Sequence, residues 1–117
     1  DLETDEQLDT YTANLADRFG PLPVATKELV ETIKLRRLAK DLGMEKLVLK
    51  RETMICYFVA NQDNGFYKSP AFMNMIRFVQ DNQKICYLKE NKDKLSLVFG
   101  KVKSIASATD VLRRMAL

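Results

Sequence analysis

Residues 14–23 read NLADRFGPLP, a stretch that stops one helix and starts another within a few residues. Gly20 favours a left-handed end to the first helix, and Pro21 prevents that helix from continuing. Pro23 suits the first turn of the next helix, because its fixed φ and missing N–H cost nothing there. The stretch therefore predicts an αα-hairpin, and the residues that define it are Phe19, Gly20, Pro21 and Pro23.

The first helix of this hairpin has a marked beginning and two distinct faces. Thr4 and Gln7 have the spacing of a capping box. The apolar stripe that we expect to anchor the helix consists of Leu8, Leu15 and Phe19. Asn14 and Asp17 point away from this stripe, so we expect the hairpin to hold them outward on a rigid polar face.

The rest of the chain alternates between helical and strand patterns. The second helix is predicted to end at Gly43. Its first and second halves have apolar faces that point in different directions, and we expect one face to pack on the first helix and the other on a sheet. The further predicted elements are strands at 47–50 and 53–60, a helix capped by Ser69, strands at 85–89 and 95–99, and a last helix capped by Ser104 or Ser107. Residues 53–60 are nearly all apolar, which is typical of a strand covered on both faces.

Together these patterns predict one α+β domain over residues 1–117. Its N-terminal helical hairpin packs on a small, mainly antiparallel four-stranded sheet with two further helices. The chain has 117 residues, of which 46% are hydrophobic and 30% charged, as in ordinary globular proteins. It opens without Met or a signal pattern, so we expect a fragment of a longer protein. No apolar run approaches the ~20 residues needed to span a bilayer, so we expect no membrane segment.

The sequence lacks the residues that most catalytic and metal sites require. It contains no histidine, and its two cysteines, Cys56 and Cys86, lie in apolar runs typical of buried, reduced thiols. A phosphate loop is excluded because Leu95 stands where the first glycine before Gly100 and Lys101 would be needed. We therefore predict no catalytic, cofactor-binding or metal-binding residue, and no enzymatic activity in this fragment.

Charge is distributed unevenly along the chain. Residues 1–22 contain six acidic residues against Arg18 alone, whereas residues 23–117 contain 18 basic and 10 acidic residues. The acidic first helix indicates either internal charge complementarity or a docking surface for a basic partner. A basic cluster on the second helix could instead contact phosphates, and it consists of Lys34, Arg36, Arg37 and Lys40.

Several of these segments resemble one known domain. They are the DRFG of residues 17–20, the Leu-Pro of residues 22–23, the helix end AKDLG of residues 39–43 and the strand start Lys-Leu of residues 46–47. In this combination the chain resembles the C-terminal domain of the bacterial transcription-repair coupling factor, over essentially its whole length.

This resemblance implies a regulatory role in DNA repair. Such factors are cytoplasmic, ATP-driven translocases on double-stranded DNA that act on stalled RNA polymerase and recruit excision-repair proteins. ATP and magnesium are expected at the motor upstream, and no cofactor in this fragment. The C-terminal domain is expected to dock on an N-terminal, repair-protein-like domain of the same chain, where it hides the recruitment surface and restrains the motor.

The resemblance also implies which residues dock. The family presents an acidic residue and then an Asp three positions later, just before Arg-Phe-Gly, to basic side chains of the docked domain. Asp17 matches the second position, whereas Asn14 stands at the first and removes one charge. We favour autoinhibitory docking through Asn14 and Asp17, and the alternative is an accessory nucleic-acid-binding module that uses the basic cluster of the second helix.

Overall fold

Four α-helices and a four-stranded sheet make up residues 4–61 and 64–116, the part of the chain that the computed structural model describes. The elements in chain order are α1 (Asp5–Phe19), α2 (Val24–Asp41), β1 (Met44–Lys50), β2 (Thr53–Phe58), a 3-10 turn (Gly65–Lys68), α3 (Pro70–Asp81), β3 (Cys86–Asn91), β4 (Lys94–Phe99) and α4 (Ile105–Ala116). The predicted α+β class and the predicted sequence of elements are confirmed.

The ends of α1 and α2 follow their local sequence closely. The Thr4 hydroxyl accepts a hydrogen bond from the Gln7 N–H at 3.1 Å, and the Gln7 side chain accepts one from the Thr4 N–H, so the capping box is confirmed. At the other end the Gly20 N–H donates to the Ala16 carbonyl at 2.8 Å. Pro23 is the N-cap of α2 and precedes its first turn, one position earlier than predicted.

Gly20 ends α1 in a different conformation from the expected left-handed one. Its φ of +87° is positive, but its ψ of −174° is extended. This combination belongs to a region of backbone space that is essentially restricted to glycine. The hairpin turn therefore depends on glycine at this position, although the conformation differs from the predicted left-handed helical cap.

All neighbouring strands of the sheet are antiparallel, in the order β1-β2-β4-β3. On β2, Met54, Cys56 and Phe58 are buried, while the residues that alternate with them are half-buried. The expectation that this strand is covered on both faces is therefore wrong. The reason is that α2, α3 and α4 all contribute to one core on a single side of the sheet.

This core is dominated by sulfur-containing and aromatic side chains. Its largest fully buried side chains are Phe58, Phe99, Met54, Met75, Leu97, Leu112, Met115 and Cys56. Cys56 and Cys86 are buried and free, as predicted. Gly43, with φ +78°, allows the Phe66 ring to lie directly over its backbone, since a Cβ there would come within 2.5 Å of that ring.

The caps of the later helices also follow the sequence. Ser69 precedes α3 and its hydroxyl accepts a hydrogen bond from the Phe72 N–H at 3.3 Å. Of the two candidate caps for α4, Ser104 is the one used, and its hydroxyl accepts from the Ser107 N–H at 3.0 Å. Within the residues described, no helix is both long and apolar enough to cross a membrane.

Candidate docking surface

The half of the helical hairpin next to its turn contains no buried side chain, although one side of α2, from Val24 to Glu31, lines a groove with Leu49 and the residues that begin α4. No side chain from residue 9 to residue 34 is buried, and the first buried residues on either side of this stretch are Leu8 and Leu35. We call residues 9–34 the hairpin arm. The molecule is correspondingly long, with principal dimensions of 50 × 30 × 24 Å.

At its base the hairpin is held together by two ion pairs between α1 and α2, close to the buried Leu8. Leu8 is the buried residue of α1. Lys34 Nζ lies 2.6 Å from Asp9 Oδ1, and Arg37 Nη1 lies 3.3 Å from Asp5 Oδ1. These pairs join the start of α1 to the second half of α2, so the two helices are antiparallel.

Electrostatics at this base is internally complementary. The hydrogen bond to Asp9 is the largest influence on Lys34, and it raises the pKa of that ammonium above its usual value. Two acidic residues of α1, Asp5 and Asp9, are therefore used within the domain. Asp9 stays exposed to solvent while it is paired with Lys34, and Asp17 is the described acidic residue of α1 within the arm for which no ion pair is found.

The two predicted docking residues lie on the outward side of α1, as expected. Asn14 and Asp17 are both exposed and stand one helical turn apart. Within residues 4–61 and 64–116 neither side chain takes part in an ion pair or side-chain hydrogen bond. Next to Asp17, the Arg18 guanidinium lies over the Phe19 ring, with its carbon 5.5 Å from the ring centroid.

Phe19 is not the buried anchor that the apolar stripe predicted. Its side chain is 74% exposed, although it lies on the same helical face as Leu8. The residue is the last of α1, next to the turn, and no described element buries it; Val24 across the turn is 72% exposed. The periodicity of the sequence identified the apolar face of α1 correctly. It carries no information on whether the rest of the domain is long enough to cover that face as far as Phe19.

The exposed apolar side chains of the arm were missed as a surface by sequence reasoning. The large ones are Tyr11, Phe19, Val24 and Leu29. A signal was present, because the apolar positions in the first half of α2 are rotated away from those in its second half. That first set has no sheet beneath it and stays exposed or half-buried.

The remaining hairpin residues define the tip. Pro21 and Pro23 are exposed, and Gly20 between α1 and Pro21 has open space where a Cβ would stand. Because of this open space, the requirement for glycine arises from the backbone conformation of the turn and not from a close neighbour.

The four basic residues proposed for phosphate binding do not form one surface. Lys34 and Arg37 face α1 and are paired with its acidic residues. Arg36 and Lys40 lie on another side of α2, where they line a groove with Met44 and other residues of β1. Because Lys34 and Arg37 are already paired with α1, the four residues are not all free for a phosphate, and phosphate binding by this cluster stays a prediction.

The described residues offer no reactive centre near the arm. No group of three or more His, Cys, Asp or Glu side chains within them could hold a metal ion. Burial raises the pKa of Cys56 to about 12, so this thiol stays protonated and unreactive at neutral pH.

Comparison with known proteins agrees with this architecture. The family model described as "TRCF domain" matches residues 1–69, which include the whole arm. The crystal structure of a C-terminal domain of transcription-repair coupling factor superposes on 98% of this chain and 74% of that chain, with a TM-score of 0.68 and 14% sequence identity. No curated protein matches the chain in sequence.

Proposed function

The chain belongs to the TRCF domain family, which serves DNA repair coupled to transcription, and from this premise we propose that it is a non-catalytic, autoinhibitory docking domain. Its partner is the N-terminal, repair-protein-like domain of the same coupling factor. Docking hides the surface that recruits the excision-repair protein and restrains an upstream motor that uses ATP and magnesium to move along DNA. The parent acts on RNA polymerase in the cytoplasm.

The observation that carries this proposal is the exposure of the hairpin arm. Twenty-six consecutive residues, 9–34, contain no buried side chain, yet they include exposed Phe19 and Val24. Large apolar groups exposed in one region are typical of protein–protein interfaces. A partner that covered these side chains would remove their apolar surface from water and stabilise the arm further.

The side chains of the tip specify the chemistry of that partner. Phe19 and Val24 supply apolar anchors, and Asp17 beside them supplies a carboxylate for an Arg or Lys of the partner. Asn14 offers a neutral hydrogen bond one turn away, which is roughly half as strong as a charge-assisted one. The partner surface should therefore be apolar with a basic side chain at its edge.

A contact of this size suits a reversible latch. Interdomain contacts within a chain are typically modest and partly polar, so a second ligand that binds the open state can shift the equilibrium toward it. Gly20, Pro21 and Pro23 fix the turn, and the two ion pairs hold its base. A stiff arm loses little conformational entropy on docking.

The experiment is to place Asp17→Arg and, separately, Phe19→Asp in the full-length factor. Either change should raise basal ATPase activity and the binding of the excision-repair protein, because each introduces repulsion or an unpaired charge into the docked contact. Asp110→Arg is the matched control, since Asp110 is exposed on α4, outside the arm. If both arm variants and the control are equal to the native factor in both assays, the arm does not form the latch.

A further inference from the structure

The face of the sheet opposite the core is a second surface on which no described helix packs. Strand register assigns alternate residues to this face, which we call the open sheet face. One row across all four strands is apolar and consists of Val48, Ile55, Val98 and Tyr87. It ends at a tyrosine whose side chain is 57% exposed.

Lysines flank this apolar row on both sides. The adjacent row runs Lys46, Tyr57, Ser96 and Lys89 across the four strands. On the other side of the apolar row lies Lys50, paired with Thr53, and Lys94 stands on the same face near the β3–β4 turn. No acidic residue occupies a paired position of this face, so its charge is uniformly positive.

The two tyrosines of this face differ in their surroundings. The Lys46 ammonium lies 5.5 Å from the centroid of the Tyr57 ring, which holds the cation at the edge of the sheet. Tyr87 has no such cover. From strand spacing and rise, Tyr57 and Tyr87 are about 12 Å apart, and the half-buried Ile55 and the buried Val98, 8% exposed, lie between them as the floor of this face.

We propose that the open sheet face binds single-stranded nucleic acid. A stacking aromatic, a flat apolar floor and a lysine rim are what an unpaired strand requires, because its bases present π-faces and its phosphates present charge. A duplex keeps its bases stacked inside and cannot use Tyr87. The face is separate from the hairpin arm, so the two functions stand or fall independently.

The favoured occupant follows from the charge and the aromatic group together. An acidic protein segment would satisfy the lysines but would not require an exposed ring on a flat floor. Single-stranded nucleic acid uses both features at once. The lysines give salt-dependent affinity, and Tyr87 distinguishes unpaired bases from a general polyanion.

The test is fluorescence anisotropy of the chain with a labelled oligothymidylate of about 12 nucleotides, a length within the usual range for one such surface. Tyr87→Ala should weaken binding by about fivefold or more, the contribution of stacking one base. The double variant Lys46→Ala, Lys89→Ala should flatten the slope of log affinity against log salt by about 1.4, the value for two phosphate contacts. The controls are Met73→Ala and the double variant Lys84→Ala, Lys103→Ala, which change exposed residues elsewhere.

Three results would each overturn the proposal. The first is no binding at low salt with the chain at about 100 µM, the weak end of non-specific affinity. The second is equal affinity for the matched duplex together with an unchanged affinity of Tyr87→Ala, which would indicate general attraction to polyanions. The third is displacement of the oligothymidylate by polyglutamate at equal charge, which would identify an acidic protein segment as the occupant.

Discussion

The exposure of the arm predicts that substitutions at two apolar residues on the same face of α1 have different effects on stability. Leu8 is 6% exposed and Phe19 is 74% exposed, although both lie on the stripe directed at α2. Leu8→Ala removes a buried side chain, and such changes cost about 2–5 kcal/mol. Phe19→Ala truncates a larger side chain that is already exposed to solvent, and substitutions at exposed positions usually change the free energy of unfolding by no more than about 0.5 kcal/mol.

The assay is urea denaturation of the chain and of the two variants, followed by circular dichroism. Leu8→Ala should lower the free energy of unfolding by about 2 kcal/mol or more, and Phe19→Ala should leave the midpoint almost unchanged. A loss of about 2 kcal/mol or more in Phe19→Ala would refute the reasoning, because it would mean that the tip is packed against the body. Equal losses in both variants would lead to the same conclusion.

Three further predictions concern the backbone and the buried thiols. Gly20→Ala should lower the stability of α1 by about 1–3 kcal/mol, measured by amide hydrogen exchange, because Gly20 has a positive φ. Gly100→Ala is the control and should cost much less, since Gly100 also has open space at the Cβ position but no positive φ. Glu52→Gly should stabilise the chain by about 1 kcal/mol in thermal unfolding, since Glu52 has a φ of 63° in the β1–β2 turn; a loss of stability would contradict this. Burial raises the pKa of Cys56 to about 12, so between pH 9 and about pH 12 the unfolded chain loses the Cys56 proton that the folded chain keeps. The free energy of unfolding should therefore fall with rising pH, by up to roughly 4 kcal/mol. A decline just as steep in Cys56→Ala would exclude this origin.

Much of the local structure could be predicted because it depends on neighbouring residues. The capping box at Thr4, the serine cap of α3 at Ser69 and the stop at Gly43 are each set within one turn of chain. These short-range preferences fixed the number and order of elements. Their boundaries differ from the predicted ones by a few residues, as at β1, which begins at Met44 and not at residue 47.

Two of the errors concern what lies on the far side of an apolar residue. Phe19 belongs to an apolar stripe, but no described element buries it. Residues 53–60 are nearly all apolar, yet the helices cover one face of that strand alone. Neither fact is encoded in the local pattern, because each depends on how distant segments are arranged.

The same limit applies to charge. Lys34 and Arg37 looked like part of one basic cluster with Arg36 and Lys40, whereas α1 folds back and neutralises two of the four. The sequence shows Lys89 and Lys94 as basic residues of a predicted hairpin, but it does not predict the open sheet face as one surface, for the converse reason. Its lysines come from three strands and are united by the strand order, which local sequence does not determine.

The central claim is that the hairpin arm docks on another domain, and calorimetric titration tests it most directly. The chain is titrated with the separately purified N-terminal, repair-protein-like domain, alongside Asp17→Arg, Phe19→Asp and the control Asp110→Arg. We predict association for the native chain and the control, and at least tenfold weaker association for each arm variant, because a buried unpaired charge costs more than about 1.4 kcal/mol. No association of the native chain, or equal affinity of all four proteins, would contradict the account.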